Sequence, residues 1–451
     1  MTMGQDNTGA CDVLVVGGGP AGTTIATLLA EKGWQVTLLE KAYHPRFHIG
    51  ESLLPMNLPI LERLGVLEKV RRIGIVKHAA EFVSDRYTDR PQVFRFSKAM
   101  NNRYPYAFEV RRSEFDHVLL QNSVTAGVDV HEGVQVHDVD FHDDGSSVVH
   151  ATGSDGIRCK WRTGFVVDAS GRDTLISRKM GWKKRSDKHN SAAVFGHFDD
   201  VVRRSGEDEG NISIYWFKHG WFWMIPLRDG SMSVGAVCWP EYLKTRKTSL
   251  AEFLTQTTML CPGVSERMQN ARPKGDVHAT GNFSYKSKHL YRKGCLLVGD
   301  SGAFIDPVFS SGVFLAMNAA CLGAEAVDGA LRNPAAEPAL MRQYEKTVHR
   351  GLRTMSWFIY RFTSPVLHRM FMHPSNRFHM EQAVISMLSG DVFSKSPVRY
   401  SLAMFKVFYY LFMVSEWRHV LSAWRFRRRG MKQIFTQETL LKDLETPVKG
   451  K

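Results

Sequence analysis

Three glycines near the start of the chain have the spacing of a phosphate-binding turn. The apolar segment 12–16 runs into a glycine-rich turn and then a helical segment, and the turn reads Gly17-Gly18-Gly19-Pro20-Ala21-Gly22. Gly17 permits a tight turn, Gly19 lets the backbone approach a pyrophosphate, and Gly22 lets the helix pack on the strand. The helix N-terminus adds N–H groups and a partial positive charge. The sequence therefore predicts a dinucleotide site.

Other residues indicate which dinucleotide this site holds. The next predicted strand, 34–39, ends at Glu40, where an acid can accept hydrogen bonds from a ribose diol. Segment 165–172 and the strand 295–298, which leads into Asp300, complete a pattern that resembles the FAD-binding fold of aromatic hydroxylases. Arg46 and Arg112 stand where that family has FAD-contacting arginines, with a surface salt bridge as the alternative. The resemblance implies that FAD contacts Gly17, Gly19, Ala21, Gly22, Glu40, Arg46, Arg112, Asp300 and Val313.

A short aromatic string narrows the resemblance to one family. Residues 220–226 read Gly-Trp-Phe-Trp-Met-Ile-Pro, and alternate residues of a strand point to the same face. A core strand is the ordinary explanation for such a pair of tryptophans. The ordered string, however, resembles the signature of flavin-dependent halogenases. The resemblance implies that a bulky, dry wall separates organic substrate from the flavin, and that it is made by Trp221, Trp223, Ile225 and Pro226.

Lys77 is the candidate catalytic residue. It follows an apolar segment, and it resembles the family's lysine, with Ala79 where a glycine is usual. In this family hypohalous acid is relayed to that lysine. A protonated Lys77 can donate a hydrogen bond to the acid, whereas a neutral amine can itself be halogenated. Burial would lower the pKa of Lys77 and favour the second route, and the sequence leaves both open.

The segment 306–313 resembles the family's halide loop. Backbone N–H groups of Ser311 and Gly312 are expected to cradle chloride or bromide, and Val313 is expected to begin the next helix beneath the flavin ring. Phe309 stands where halogenases of free tryptophan have a glutamate. This difference favours a more activated ring, such as a phenol or a pyrrole, on a small molecule or on an acyl or peptidyl carrier protein.

These residues require an α/β scaffold in several parts. The prediction is a Rossmann-type fold like that of the aromatic hydroxylases, with an inserted substrate β-sheet and a helical C-terminal region. The FAD-binding domain is assigned to residues 1–75, 100–180 and 280–332. The substrate-side sheet is assigned to 76–99 and 181–279, and the helical region to 333–451. The 451 residues are 43% hydrophobic, which excludes a disordered chain and a small disulfide scaffold.

Charge and cysteine content suggest partners and location. The net charge is +14, yet no nucleic-acid-binding module is recognisable, so no nucleic-acid partner is expected. The six cysteines lie far apart, so we expect a cytoplasmic protein without a metal site or a membrane-spanning helix. One aromatic-rich basic cluster near the C-terminus could contact an acidic carrier protein or, more weakly, a membrane surface: Arg418, Arg425, Arg427, Arg428, Arg429 and Lys432.

Only one dinucleotide fingerprint is recognisable. The flavin is therefore expected to arrive as FADH2 from a separate NAD(P)H-dependent flavin reductase and to react with O2. Two rival functions remain. One is a flavin-dependent aromatic hydroxylase or isoprenoid-chain reductase of related fold. The other is a non-catalytic flavoprotein that binds a carrier protein or a membrane.

Overall fold

The structure is a computed structural model that describes residues 7–84, 90–185, 191–281, 284–393 and 397–415, with Trp417 and Leu421. Its first sheet has eight strands, of which β1 is the predicted phosphate-binding strand. The eight are β1 (Asn7–Val16), β2 (Val36–Glu40), β7 (Asp129–Glu132), β8 (Val134–Phe141), β9 (Ser147–Gly153), β10 (Arg158–Asp168), β18 (Tyr291–Arg292) and β19 (Cys295–Leu297). Five of them run parallel in the order β19-β10-β1-β2-β7. This is the predicted Rossmann-type arrangement, in which ligands bind beyond the carboxyl ends of the strands.

The second sheet carries the aromatic string. Its seven strands are β4 (Ala79–Val83), β5 (Gln92–Arg95), β12 (Ala192–Asp199), β13 (Ile212–Phe217), β14 (Gly220–Pro226), β15 (Met232–Cys238) and β16 (Arg272–Gly281). They lie in the order β16-β12-β15-β14-β13-β4-β5, and all neighbours are antiparallel except β13 and β4. The sheet is thus an insertion between the strands of the first sheet.

Two small sheets complete the described strands. One pairs β3 (Gly74–Lys77) with β6 (Ala107–Val110), and the other consists of β11 (Lys183–Arg185), β17 (Tyr285–Ser287) and β20 (Ala303–Phe304). The first pair matters for function, because it sets Ile75 opposite Glu109 and Lys77 opposite Ala107. Lys77 therefore ends a strand that is attached to neither large sheet by strand pairing.

The helices of the described chain cover the first sheet and build the C-terminal region. They are α1 (Pro20–Ala30), α2 (Leu58–Arg63), α3 (Leu67–Ile73), α4 (Arg112–Thr125), α5 (Leu175–Lys179), α6 (Pro240–Leu243), α7 (Leu250–Thr258), α8 (Pro262–Arg267), α9 (Ser311–Arg332), α10 (Glu337–Ile359), α11 (Pro365–Met372), α12 (Met380–Leu388) and α13 (Val398–Ser415). α9 packs against both α1 and α10. It is long and apolar enough to cross a membrane, but 61% of its apolar window is buried within the protein, as in a core helix.

The structure corrects several predicted boundaries. β1 begins at Asn7 rather than at residue 12, because its polar first half pairs with β10 from Cys159 onwards. β2 begins at Val36 rather than at Trp34, because the Trp34 N–H closes α1 by donating to the Leu29 carbonyl. Strand pairing thus extends β1, whereas a local hydrogen bond at the end of α1 shortens β2.

The region around the halide loop also differs from the prediction. Asp300 lies within a short 3-10 turn, and β20 follows that turn. A second 3-10 turn spans Pro307–Phe309, and Ser310 then adopts a left-handed conformation with φ +55°. α9 therefore begins at Ser311, two residues before the predicted start at Val313.

The division of the chain into three regions stays a prediction. The aromatic-rich basic cluster, with Arg418, Arg425, Arg427, Arg428, Arg429 and Lys432, lies outside the described residues. The six cysteines are free thiols. Among the described residues, no group of three or more His, Cys, Asp or Glu side chains could hold a metal ion.

Candidate active site

The turn between β1 and α1 leaves its backbone open to a ligand. Gly17 has φ +105°, and a Cβ there would lie 2.5 Å from the Ala169 carbonyl oxygen. A Cβ on Gly22 would lie 1.9 Å from the Gly17 carbonyl oxygen, so a side chain would push α1 away from β1. Above Gly19 the nearest described atom is a guanidinium nitrogen of Arg46, 3.7 Å from an added Cβ. Open backbone, helix N-terminus and cation together fit a pyrophosphate.

Glu40 lies at the end of β2 and holds this turn in shape. Its Oε2 accepts a hydrogen bond from the Gly18 N–H at 2.6 Å, and its Oε1 accepts one from the Ala42 N–H at 2.9 Å. The Arg46 Nε lies 3.7 Å from Oε1. Ala21 is buried in the first turn of α1. The contacts of Glu40 and Ala21 with a cofactor stay predictions.

Arg112 makes a buried ion pair, which corrects the surface salt bridge considered above. Its guanidinium donates to both carboxylate oxygens of Asp116, at 2.8 and 2.9 Å, and to the Ile49 carbonyl at 2.9 Å. Arg46 lies 3.3 Å from the same carboxylate. Burial alone would raise the pKa of Asp116, but the Arg112 charge and hydrogen bonds outweigh it and lower that pKa. Sequence reasoning missed Asp116, although its spacing of four residues from Arg112 signals a helical ion pair.

Asp300 and the halide loop share one pocket. The pocket is lined by Asp300, Gly312 and Leu315, and by Tyr344 of α10. Burial raises the pKa of Asp300 to about 6, although the positive charges of Arg172 and Arg112 oppose that shift. The structure thus brings together the ends of β19 and the start of α9, as an extended flavin cofactor requires.

The start of α9 has the features of an anion site. The Ser311 hydroxyl is buried and has no hydrogen-bond partner among the described residues. A Cβ on Gly312 would meet no described atom within 4 Å, so there is free space beside the backbone. Asp306 shapes the loop by accepting a hydrogen bond from the Val308 N–H at 3.2 Å. A small anion fits this helix N-terminus, where an unpartnered donor and the helix dipole coincide.

The aromatic string forms one face of β14. Trp221 and Trp223 are 4% and 5% exposed, and their rings lie 5.9 Å apart. Trp223 donates its indole N–H to the Ser233 hydroxyl at 3.1 Å. Trp221, Trp223 and Ile225 belong to the core that also contains Val313 and Phe309, whereas Phe222 and Met224 face a separate core. Pro226 ends the buried strand. The Trp221 ring lies 6.4 Å from Phe362, whose ring is 5.5 Å from Phe309 of the halide loop, so this face of the string lies near that loop.

Lys77 is 1% exposed, so it does not belong to the surface. Its Nζ donates to the Ser52 hydroxyl at 2.7 Å and to the Leu53 carbonyl at 3.0 Å, and it lies 3.7 Å from Glu109 Oε1. The Phe96 ring centroid is 5.5 Å away. Burial lowers the pKa of Lys77, while the negative charge of Glu109 opposes that shift.

Sequence reasoning missed Glu109, the acidic partner of Lys77. Glu109 is fully buried on β6, and burial raises its pKa to about 8, with the Lys77 charge acting in the opposite direction. Ser52 links the two groups, because its hydroxyl donates to Glu109 Oε1 at 3.2 Å while it accepts from Lys77. The sequence did carry a signal for Glu109, because a charged residue inside the apolar strand 107–110 indicates a buried ionisable group.

Phe309 lies in an aromatic wall that sequence reasoning also missed. Its ring stacks on Phe371 with centroids 6.0 Å apart, and Phe362 and Phe82 are 5.5 and 6.4 Å away. Phe362 in turn stacks on Trp216 at 4.5 Å. The wall joins the inserted sheet to the helices after α10. No spacing rule predicts it, because its members come from four separate segments.

Comparisons with known proteins agree with this geometry. The fold and the open glycine turn define an FAD-binding α/β flavoprotein. The sequence matches the tryptophan halogenase family over residues 12–103 and 88–437. The chain therefore belongs to the tryptophan halogenase family of FAD-dependent enzymes, and the family resemblance read from the sequence is confirmed.

Two curated relatives show the range of this family. The chain is 39% identical to a tryptophan 2-halogenase of Chondromyces crocatus over 325 residues, 70% of this chain and 60% of that protein. It thus spans less than two thirds of that relative. It is 29% identical to a Pseudomonas fluorescens chlorinase of 1H-pyrrole-2-carbonyl on a peptidyl-carrier protein, over 409 residues, 85% of this chain and 90% of that protein.

Two solved structures share the fold. The chondrochloren halogenase of a myxobacterium has a TM-score of 0.75 and 29% identity, and the match covers 96% of this chain and 99% of that one. A flavoprotein/dehydrogenase of Cytophaga hutchinsonii has a TM-score of 0.82 and 28% identity, with 90% and 100% covered. The predicted fold class, with its inserted sheet and helical C-terminal region, is confirmed.

Proposed function

We propose that this protein halogenates an electron-rich aromatic ring, using FADH2, O2 and chloride or bromide. The observation that carries the proposal is the buried amine of Lys77, which is enclosed by apolar residues and held by three polar partners. A fully buried lysine is costly to maintain, and such groups cluster at functional sites. The open anion site at Ser311 and Gly312 supports it independently.

The residues of the chain take separate roles in this reaction. When bound, reduced flavin and O2 supply the oxidising power that converts a halide into hypohalous acid. The glycine turn, Arg46 and Glu40 hold and orient the cofactor, and the start of α9 holds the halide. The face of Trp221 and Trp223 excludes organic substrate from the flavin. Lys77 receives hypohalous acid and directs its halogen to the ring.

We propose a phenol or a pyrrole as the substrate. Phe309 and its aromatic neighbours provide apolar surface and no carboxylate, so an activated ring suits the site better than one that needs assistance. The Chondromyces relative is named for tryptophan and the Pseudomonas relative for a carrier-bound pyrrole, so the relatives span both kinds of ring. We prefer a phenol or a pyrrole to tryptophan because of the aromatic wall around Phe309.

The proposal includes two protein partners. A separate NAD(P)H-dependent reductase would supply FADH2 in the cytoplasm, because the chain has a single dinucleotide fingerprint. An acidic carrier protein would present the substrate near the C-terminus, where α13 exposes Tyr400, Val407, Leu411 and Val414. The only charged side chains of α13 are Arg399 and Lys406, and both are basic, which suits an acidic partner. A weak contact with an anionic membrane surface is a second use that we propose for the same helix.

The test is a product screen with a halide dependence. The full chain is supplied with FAD, a flavin reductase and NADH, and is offered free and carrier-bound phenols and pyrroles with chloride or bromide. Mass spectrometry should find a halogenated product that disappears without halide and in Lys77→Ala. A hydroxylated product at every halide concentration would overturn the proposal in favour of a hydroxylase.

A second candidate is a reductase or dehydrogenase, favoured by the likeness to the Cytophaga protein. It predicts turnover without halide or O2 and no dependence on Lys77. A non-catalytic flavoprotein is not retained, because the chain belongs to a family whose curated members are flavin-dependent halogenases.

A further inference from the structure

Lys77 is coupled to a second buried ionisable group. Glu109 lies opposite Ile75 in the pair of strands β3 and β6, and its Oε1 is 3.7 Å from Lys77 Nζ. The Ser52 hydroxyl bridges them, accepting from Lys77 at 2.7 Å and donating to Glu109 at 3.2 Å. Both side chains are at most 1% exposed, so water does not screen their interaction.

Glu109 retains capacity that the fold does not use. Its second oxygen, Oε2, is buried and has no hydrogen-bond partner among the described residues. An unpaired buried acceptor is costly, so the free oxygen of Glu109 calls for an explanation beyond packing. An unfilled acceptor beside the lysine is what a group that exchanges protons requires.

We propose that Glu109 is a positioning residue that keeps Lys77 protonated, so that Lys77 can give a proton to the leaving oxygen and take back the proton released by the substrate ring. This role rests on the proposed halogenation. The family resemblance did not indicate Glu109. Because this site has Phe309 in place of a carboxylate, another group must accept the proton that the ring releases.

The transfer of the halogen conserves atoms and electrons. The ring carbon bonds the halogen of hypohalous acid, the O–halogen bond breaks, and its electron pair stays on oxygen. That oxygen takes a proton from Lys77 and leaves as water. The substituted carbon then loses its proton, which returns to the neutral Lys77 amine and is shared with Glu109 through Ser52. No oxidant beyond hypohalous acid is consumed.

The other groups that face the pair are few. Glu51 precedes Ser52 and its charge raises the pKa of Glu109. Glu51 is itself engaged through Oε1 by His197 of β12 at 2.8 Å. The side of Lys77 away from Glu109 faces Phe96, which has no ionisable group. Lys77 is therefore the cation nearest to Glu109 among the described contacts.

The first test is the pH profile of Glu109→Gln. Glutamine keeps the volume and removes the charge, so the pKa of Lys77 should fall further. We expect kcat to drop about tenfold or more above pH 8, where Glu109 of the wild type is ionised, and its alkaline limb to move about one pH unit or more towards acid. Activity should recover at lower pH, where Glu109 is protonated in the wild type as well. Glu68→Gln, an exposed acid on α3, is the matched control and should keep the wild-type profile. An unchanged alkaline limb in Glu109→Gln would overturn the inference.

A second test needs no turnover. Infrared titration of the cofactor-free protein should show a buried carboxylic acid signal that is lost on alkalinisation and is absent from Glu109→Gln. In Lys77→Met that signal should persist to higher pH, because the opposing positive charge is gone. An identical titration in Lys77→Met and wild type would contradict the coupling. Failure of the wild type to halogenate, with this coupling intact, would count against the proposed function alone.

Discussion

The cofactor turn and the lysine site differ in what builds them. The turn between β1 and α1 consists of backbone from one continuous segment, and its glycines are required because added Cβ atoms would collide at 2.5 and 1.9 Å. The lysine site consists of side chains from β3, β6 and the segment around Ser52, with separations of 2.7 to 3.7 Å. A site made of local backbone can be read from spacing, whereas a site made of distant side chains cannot.

The largest effect on activity is expected from a change at Lys77. Lys77→Ala should lower halogenation by about 100-fold or more, because the variant lacks the amine that we propose directs the halogen. Binding of FAD, measured by quenching of flavin fluorescence, should stay at the wild-type level, since the glycine turn is untouched. Loss of FAD binding in this variant would show that the two regions are not independent.

The next effect concerns stability. Asp116→Asn should lower the free energy of unfolding by about 3–5 kcal/mol at neutral pH, because it leaves the buried Arg112 without its anion. The folded-state pKa of Asp116 is depressed, so its contribution is present above the ordinary carboxyl pKa and is lost as the pH falls through the lower folded value.

Denaturant titrations of wild type and variant should therefore converge in strongly acidic solution. Glu114→Gln, an exposed acid on the same helix, serves as the control and should change stability little. A difference between wild type and Asp116→Asn that is independent of pH would contradict the ion-pair account.

A smaller effect is expected at the turn itself. Gly22→Ala should weaken FAD binding by about tenfold or more, because the added Cβ collides with rigid backbone and displaces α1. Gly329→Ala adds the same atom to α9 near the flexible end of Leu340 and should leave the dissociation constant for FAD unchanged. Equal FAD binding by both variants would show that the turn adapts more easily than its geometry indicates.

The smallest effect is expected at the halide loop. Ser311→Ala should raise the KM for halide a few-fold and leave kcat nearly unchanged, because one neutral hydrogen bond to the bound anion is lost. Steady-state kinetics at varied bromide concentration measure it. A fall in kcat at saturating halide would instead assign Ser311 to the chemical step.

Sequence patterns predicted the elements that depend on local rules. The glycine turn, the parallel strands ending at Glu40 and Asp168, and the strand of Trp221 and Trp223 were readable because each uses a short spacing. Boundaries were less accurate where a distant strand decides them, as at Asn7, or where an unpredicted turn precedes a helix, as at Ser311. Asp116 was missed, although its spacing from Arg112 carries information.

What the amino-acid sequence determined by itself is the family and the cofactor turn, and it predicted Lys77 as the candidate catalytic residue. Only the tertiary structure decided the environment of Lys77: Glu109 beside it, the Ser52 bridge between them and the aromatic wall around Phe309. The physical reason is that the pKa of a buried group depends on burial and on charges within a few ångströms. Those neighbours come from segments far apart in the chain, so no local spacing contains them.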